Sequence, residues 1–133
     1  MEHERLTEKI IGCAMKVHET LGPGFLESVY QNALAYELRK AGLKVACEAT
    51  VQVKYEGIVV GNFSADMCVE DVVLIENKAV QCLAIAQEVQ LINYLTATGI
   101  EVGLLLNFGA NRLDFKRKHR VFKAKPTGIA GTE

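Results

Sequence analysis

Apolar residues recur at intervals of three or four positions in three stretches of the chain, which is the spacing of one helical face. The stretches are residues 4–20, 25–41 and 81–98. The breaker Gly22-Pro23-Gly24 separates the first two, and Gly99 closes the third. The pattern therefore predicts three amphipathic helices, of which the first two form an N-terminal helical hairpin.

A second pattern, in which apolar residues alternate with polar ones or run without interruption, is typical of strands. Residues 101–108 are almost wholly apolar, as expected of a central buried strand, and residues 113–118 alternate, as expected of an edge strand. The predicted strands are residues 43–48, 51–55, 58–69, 72–78, 101–108 and 113–118. Together with the helices, this order predicts an α/β fold.

The third and fourth predicted strands are joined by the short acidic connection Glu70-Asp71, so they form a β-hairpin. Side chains on a strand repeat every two residues, which puts Glu76 and Lys78 on one face. The hairpin can bring Asp66, on its first strand, beside both. Charges are seldom placed on such a strand unless they are paired or bind a metal. Close carboxylates also repel each other, so we expect a raised pKa for at least one of them, partly offset by Lys78.

Length and composition bound the class of protein. The chain has 133 residues, half of them hydrophobic, which suits a single domain, residues 1–133, with residues 126–133 as a loose tail. No apolar run reaches the roughly 18 residues of a membrane span, and the charged N-terminus lacks a signal-peptide pattern. We therefore expect a cytoplasmic protein without a membrane partner.

The four cysteines, Cys13, Cys47, Cys68 and Cys82, lie far apart and form no C-x-x-C pair. Each is in an apolar segment, which favours small buried thiols over a zinc site. Unpaired thiols agree with a reducing compartment.

The net charge of −1 conceals a basic C-terminal segment. Residues 116–133 contain six of the fifteen Lys and Arg residues and a single Glu, so the body of the chain is acidic. This segment predicts either a nucleic-acid contact or a solvated edge strand protected by lysines. The candidate contacts are Lys116, Arg117, Lys118, Arg120 and Lys123.

Polar residues at helical spacing mark two further candidates. Glu27 and Tyr30 are three residues apart and follow Gly24, and Gln90 and Tyr94 are four apart in the third helix. Each set has an ordinary structural interpretation. Glu27 lies in a first helical turn, where the helix dipole favours a carboxylate, and Tyr30 suits a core or its rim. Gln90 and Tyr94 suit a solvent-facing stripe.

Taken together, these residues resemble the PD-(D/E)xK nuclease superfamily. Asp66 followed by Glu76-Asn77-Lys78 matches the motif that names the superfamily, and Gln90-x-x-x-Tyr94 matches an element that follows it in one nuclease branch. Gly24-x-x-Glu27-x-x-Tyr30 is similar to the G-x-x-E-x-x-Y family of bacteria and archaea. The resemblance runs from about residue 6 to residue 120. It implies a restriction-endonuclease-like αβββαβ core, a mixed central sheet flanked by helices.

The resemblance also implies roles for these residues. Asp66 and Glu76 would bind magnesium, for which manganese can substitute, and Glu27 would complete the site from its helix. Lys78 would orient the attacking water or stabilise charge on the phosphate. Gln90 would orient a water or a nucleic-acid group. Tyr94 would support the substrate strand, and Tyr30 would support the site.

One position departs from the family pattern. Between the acid and the lysine the superfamily usually has an aliphatic residue, which packs on the opposite face of the sheet, whereas this chain has Asn77. A buried amide needs hydrogen-bond partners, so either that face is wetter here or the site is altered.

Two functions of different class therefore remain open. The near-complete motif set favours a metal-dependent nuclease that hydrolyses phosphodiester bonds in nucleic acid, with DNA favoured over RNA. Asn77 and the acidic body favour a catalytically weak or inactive module that binds nucleic acid or protein on the same fold. A homodimer is compatible with either function, because the first helix is apolar on one face.

Overall fold

The computed structural model describes residues 3–121, which form three helices and five strands. The helices are α1 (Glu4–Leu21), α2 (Glu27–Lys40) and α3 (Ile85–Thr98). The strands are β1 (Val45–Tyr55), β2 (Ile58–Val69), β3 (Val73–Lys78), β4 (Val102–Asn107) and β5 (Asp114–His119). Residues 126–133 and Lys123 lie outside the described residues.

The strands form one sheet in the order β1-β2-β3-β4-β5. The β3–β4 pair is parallel and the other pairs are antiparallel, so the sheet is mixed, as predicted. Parallel neighbours need a crossover connection, and α3 provides it between β3 and β4. All six residues of β4 are buried, whereas β5 at the sheet edge is half-buried or exposed, which confirms both strand predictions.

The prediction of two separate strands in residues 43–55 was wrong, because the structure has one strand, β1. β1 pairs with β2 from Val45 to Tyr55, and the ladder omits Glu48. Glu48 has a φ of 55°, a left-handed conformation that is uncommon for a residue other than glycine. The irregularity does not end the strand, and a break in the apolar pattern of the sequence does not distinguish an irregularity within one strand from the end of a strand.

The third helix begins four residues later than predicted, at Ile85 instead of Gln81. The side chain of Gln87 accepts a hydrogen bond from the backbone N–H of Ala84 at 2.8 Å, which satisfies an N–H group ahead of the first turn. Residues 81–84 therefore belong to the connection that follows β3.

Apolar residues fill both faces of the sheet. Between the sheet and α1 and α2, the core contains Ile10, Ile11, Ala14, Val17, Tyr30, Leu34, Ala35, Leu38, Met67, Val69, Val73, Ile75, Leu104, Leu106 and Phe108. On the α3 side it contains Val51, Ala65, Leu74, Leu91, Leu95 and Leu105. We call these the closed face and the open face, respectively.

All four cysteines are free thiols, as predicted, but the expectation that all are buried was wrong. Cys13 and Cys68 are half-buried, whereas Cys47 and Cys82 are exposed. Cys47 lies on β1, at the edge of the sheet, and Cys82 lies in the connection between β3 and α3. Both positions are at the surface, which explains their exposure. Within residues 3–121, no helix has both the length and the apolar character to cross a membrane.

Candidate active site

The candidate site lies where β2 and β3 separate. Their ladder runs from Val69 and Val73 to the pair Met67 and Ile75 and ends there. Beyond that pair, Glu76 Oε2 accepts a hydrogen bond from the backbone N–H of Asp66 at 2.9 Å. Asp66 Oδ2 accepts one from the backbone N–H of Asn77 at 2.7 Å. The two carboxylates thus replace strand carbonyls as acceptors, and each retains a second oxygen.

Strand alternation assigns the residues of β3 to opposite faces of the sheet. Ile75 belongs to the closed face and Leu74 to the open face, so Glu76 and Lys78 share the open face with Leu74. Glu76 is only 6% exposed, and the predicted proximity of Asp66 and Glu76 is therefore realised in a largely desolvated place.

Asn77 packs on the opposite, closed face, as the family pattern implies. Asn77 is fully buried, and its amide nitrogen Nδ2 lies 3.2 Å from Met67 Sδ, a weak acceptor. Its oxygen Oδ1 has no hydrogen-bond partner among the described residues. The amide is thus a polar group held in an apolar core, which costs roughly 1–3 kcal/mol.

Burial is the main cause of the electrostatic properties of the pair. The pKa of Glu76 is raised to about 7, chiefly by burial and to a lesser extent by the charges of Asp66 and Glu27, against the opposing effects of the Asp66 N–H and Lys78. Burial likewise raises the pKa of Asp66, opposed by the Asn77 N–H and Lys78. The expected raised pKa is confirmed, but desolvation contributes more than repulsion between the carboxylates.

Lys78 is half-buried beside the pair, and its charge reaches both carboxylates. No carboxylate in residues 3–121 forms an ion pair with its ammonium group, since none comes within 4.0 Å. Its backbone carbonyl accepts a hydrogen bond from Phe108 N at 2.8 Å, which extends the β3–β4 ladder past Lys78. The backbone is thus fixed while the ammonium group remains available to a ligand.

Glu27 and Tyr30 lie apart despite their shared helix. Glu27 is exposed at the first residue of α2, close enough for its charge to affect the pKa of Glu76. Tyr30 is fully buried and stacks on Phe108 with 4.7 Å between ring centroids. Its hydroxyl donates to the carbonyl of Gly22 and accepts from Phe25 N at 3.1 Å. Tyr30 therefore fixes the loop that leads to Glu27 and does not itself face solvent.

Gln90 and Tyr94 lie on α3, as predicted, with different surroundings. Gln90 is exposed, whereas Tyr94 is half-buried and stacks on Phe63 of β2 with 3.7 Å between ring centroids. Burial raises the pKa of Tyr94, and the charges of Glu76 and Asp66 raise it further. Tyr94 and Phe63 therefore form an aromatic pair within electrostatic range of the carboxylates.

Sequence reasoning missed Asn107, which pairs in register with Lys78 across β3 and β4. Asn107 is fully buried, and its Oδ1 accepts hydrogen bonds from Val80 N and Gly109 N, each at 3.0 Å. A Cβ on Gly109 would lie 2.4 Å from Val80 N, so only glycine permits this close approach. The signal in the sequence that could have revealed Asn107 is its position as the single polar residue at the end of an otherwise apolar strand.

Two of the predicted basic contacts have carboxylate partners. Lys118 Nζ lies 2.5 Å from Glu88 Oε1 of α3, and Arg120 forms an ion pair with Glu101. Lys116 pairs in register with Leu105, which pairs with Glu76, so the three share the open face of the sheet. Two strand spacings separate Lys116 from Glu76, roughly 10 Å. Arg117 pairs with Leu104 on the opposite face.

The donor set fits a hard divalent cation that retains water. Among residues 3–121, no group of three or more His, Cys, Asp or Glu side chains is close enough to hold a metal ion. Asp66 and Glu76 nevertheless supply two oxygen ligands. Mg²⁺ is commonly bound by one or two carboxylates together with water and substrate phosphates, so a two-carboxylate site suits it.

Residues 4–118 match the family model described as the PD-(D/E)XK nuclease superfamily, and the chain belongs to that superfamily. Nucleases of this superfamily generally use divalent metals. A search of curated proteins gave no match.

Two solved structures are similar to the chain. The crystal structure of SSO0001 has a TM-score of 0.57 at 15% identity over 91% of this chain, which supports the same fold. This chain spans 61% of that protein. An alkaline exonuclease, LHK-Exo from Laribacter hongkongensis, has 14% identity over 86% of this chain and 82% of its own. Its TM-score of 0.39 is too low to indicate a common fold.

Proposed function

We propose that the protein is a divalent-metal-dependent nuclease that hydrolyses phosphodiester bonds in nucleic acid, with DNA as the preferred substrate and magnesium as the ion. The observation that carries this proposal is the carboxylate pair between the separated strands β2 and β3. Asp66 and Glu76 each use one oxygen for a backbone N–H, which fixes their orientation and leaves the other oxygen for a ligand.

Asp66 and Glu76 would hold the ion, with Glu27 completing the coordination directly or through water. A bound divalent ion supplies positive charge at the phosphate and lowers the pKa of a bound water. The raised pKa values of Asp66 and Glu76 support this assignment, because a nearby cation favours the ionised form that burial disfavours.

The other proposed site residues act on the substrate. Lys78 would stabilise negative charge on the phosphate, since its ammonium group has no carboxylate partner within residues 3–121. Gln90 would orient a water or a nucleic-acid group from the exposed side of α3, and Tyr94 would support the substrate strand. Lys116 is the favoured phosphate contact of the basic segment, because Lys118 and Arg120 already have partners.

We further propose that the chain belongs to the G-x-x-E-x-x-Y branch of the superfamily. The hydrogen bonds of Tyr30 to Gly22 and Phe25 explain why the motif combines a glycine, a glutamate and a tyrosine at this spacing. The tyrosine fixes the glycine-containing loop, and the loop fixes the start of the helix that carries Glu27. Tyr30 is thus a positioning residue for Glu27.

A catalytically inactive nucleic-acid-binding module is the second candidate. It is favoured by the absence of a third metal ligand near the pair within residues 3–121 and by the unpartnered amide oxygen of Asn77. Both functions use the same surface, so only a measurement of chemistry separates them.

The test incubates the protein with circular, linear and single-stranded DNA and with RNA, with Mg²⁺, Mn²⁺ or EDTA. We expect hydrolysis that requires the ion and is lost in Glu76→Gln and Asp66→Asn. Glu70→Gln is the matched control, because Glu70 lies in the connection at the far end of the same β2–β3 hairpin. Its activity should equal that of the unmodified protein.

Calorimetric titration with the same ions gives an independent result. We expect binding heat that both site variants lose and Glu70→Gln retains. Metal binding without hydrolysis of any substrate would favour the inactive module, and unchanged heat in both site variants would contradict the proposed ligands.

A further inference from the structure

A groove of about 580 Å³ opens between β1 and α3. Its lining consists of Gln52, Val53 and Lys54 from β1 and of Asn93, Thr96 and Ala97 from α3. All six side chains are exposed. The volume lies within the roughly 300–1,000 Å³ range of pockets that hold small-molecule-sized groups.

The groove lies on the same face of the sheet as the candidate active site, because α3 packs on the open face. On α3, Gln90, Asn93 and Ala97 are three and four residues apart, which places them on one helical face. On the other wall, Gln52 pairs with Asn62, which precedes Asp66 by four residues on β2. Four residues of strand span roughly 13 Å. A flexible strand bound at the carboxylates can therefore extend into the groove.

The aromatic pair joins α3 to the sheet near the groove. Phe63 pairs in register with Val51, the residue before Gln52, and Tyr94 follows Asn93 on α3. The pair is half-buried and within electrostatic range of Glu76. Aromatic side chains beside a polar groove are the usual platform for unpaired bases.

The groove walls present hydrogen-bonding groups and one cation. Within residues 3–121, no other residue forms a hydrogen bond with the side-chain amides of Gln52 or Asn93, and no carboxylate pairs with Lys54. Amides bind base edges, and a lysine binds a phosphate as a point charge. This set of groups matches the chemistry of a single nucleic-acid strand.

We infer that this groove binds unpaired nucleotides next to the scissile phosphate, so that the substrate is single-stranded nucleic acid or a duplex with a single-stranded region. The inference rests on the proposed function. A duplex keeps the Watson–Crick edges of its bases paired, whereas unpaired bases offer those edges to side-chain amides. Lys118 and Arg120 are already neutralised by ion pairs, so the basic segment offers fewer free charges to the phosphates of a duplex.

The test measures binding in EDTA, where a metal-dependent enzyme does not cleave, by fluorescence anisotropy at one salt concentration. The probes are a labelled DNA strand, the RNA strand of the same sequence, and the DNA strand annealed to its complement. We expect at least one single strand to bind about tenfold more tightly than the duplex, an effect of the size expected for one stacked base. The two single strands distinguish DNA from RNA as the source of the nucleotides.

Thr96→Glu narrows the groove and adds a charge that repels phosphate, and Thr20→Glu is its matched control. Both threonines are exposed near the end of a helix, and each donates its hydroxyl to the carbonyl four residues earlier, in Thr96 at 3.0 Å and in Thr20 at 2.8 Å. We expect Thr96→Glu to weaken single-strand binding about tenfold. Thr20→Glu should leave it unchanged.

Equal affinity for strand and duplex, or equal affinities of the two glutamate variants, would overturn the inference. If Thr96→Glu lowers the melting temperature, Lys54→Gln replaces it, with the exposed Lys44→Gln as its control. If the protein hydrolyses duplex and binds strand and duplex equally tightly, only the inference about the groove is refuted. If it binds single strands preferentially but hydrolyses no substrate, only the proposed nuclease function is refuted.

Discussion

Among residues 3–121, fifteen buried residues form one core on the closed face of the sheet, beneath α1 and α2, whereas six form the core on the open face, beneath α3. The smaller core leaves part of the open face without apolar cover. Glu76 and Lys78 occupy that part, and the β1–α3 groove lies along the same helix. From this difference we predict that stability depends mainly on the closed face and that the open face binds the ligand.

Neighbouring residues of β3 illustrate the division. Glu76 on the open face is nearly buried, but its carboxylate has a backbone N–H partner and a cation nearby. Asn77 on the closed face has a sulfur as the partner of its nitrogen and none among the described residues for its oxygen. The buried polar group on the open face thus has partners that stabilise it. The one on the closed face lacks a partner for its oxygen and therefore lowers the stability of the fold.

Leu34→Ala and Leu95→Ala compare the two cores directly. Both leucines are fully buried in helices, Leu34 on the closed face and Leu95 on the open face. Truncation of a buried leucine costs roughly 2–5 kcal/mol, and most where the surroundings do not collapse into the cavity. We expect Leu34→Ala near the upper end of that range and Leu95→Ala near the lower end by urea denaturation. Equal losses would contradict the division of stability between the faces.

Lys78→Met tests whether the open face performs chemistry. In an active enzyme the ammonium group acts when charge develops on the phosphate, so we expect kcat to fall by about 10²–10³ with KM little changed. Metal binding and fold should survive, because the carboxylates remain. Lys44→Met, at an exposed lysine, is the control and should leave kcat unchanged.

The alternative outcome for Lys78→Met is equally specific. In a binding module without activity, Lys78 only balances the charges of Asp66 and Glu76. Its loss would then lower the melting temperature of the metal-free protein, and metal would restore it. A lowered melting temperature without any hydrolysis by the unmodified protein would refute the enzyme.

Glu76 makes stability depend on pH. Its pKa rises from 4.5 to about 7 in the folded protein, so folding favours the protonated form. That contribution is complete below pH 4.5 and is lost as the pH rises through 7, by about 3 kcal/mol. We expect the unmodified protein to lose this much between pH 4.5 and pH 8 relative to Glu76→Gln in urea denaturation. Mg²⁺ should restore stability at pH 8 but not at pH 4.5. Parallel pH curves for the two proteins would contradict the shift.

Asn77→Leu should stabilise the closed face. The change removes an amide with an unpartnered oxygen and keeps the side-chain size, and such replacements are neutral or stabilising, here by about 1 kcal/mol. The hydrogen bond to Asp66 comes from the backbone of Asn77 and should persist. We expect a higher melting temperature with unchanged metal affinity. A lower melting temperature would mean that the amide has a partner, such as a buried water.

Periodicity predicted all three helices, the last four strands and the edge position of β5, because these follow from local apolar spacing. It also predicted that Asp66 approaches Glu76, because a hairpin fixes which residues face each other. It did not predict that β1 continues through Glu48 or that α3 starts at Ile85. Both depend on a single backbone angle or capping bond, which apolar spacing does not encode.

The parts of the site that the sequence did not reveal depend on contacts between distant elements. The partner of Lys118 is Glu88, thirty residues earlier on another element, and the stack of Phe63 on Tyr94 joins β2 to α3. Tyr30 suits a core or its rim by sequence, but the hydrogen bond from its hydroxyl to the Gly22 carbonyl is a contact that the sequence does not specify. Only the tertiary structure determines these partners.

Lys116 and Lys118 provide the finest comparison, since both are on the open face of β5 and only Lys118 has a carboxylate partner in the described part of the chain. We expect Lys116→Gln to reduce the slope of log affinity against log salt by about 0.7 on a single strand or about 0.9 on a duplex. Lys118→Gln should change the slope less, because Glu88 already neutralises that lysine.

The same titrations decide between the two interpretations of the basic segment. If both variants leave the slope unchanged, β5 is a solvated edge protected by lysines and binds no phosphate. If both reduce it equally, nucleic acid displaces Glu88 from Lys118, and Glu88→Gln should then strengthen binding. If only Lys116→Gln reduces the slope, the phosphate lies near Lys116. Glu76, Leu105 and Lys116 are register partners on neighbouring strands, so that phosphate would be on the same face of the sheet as Glu76.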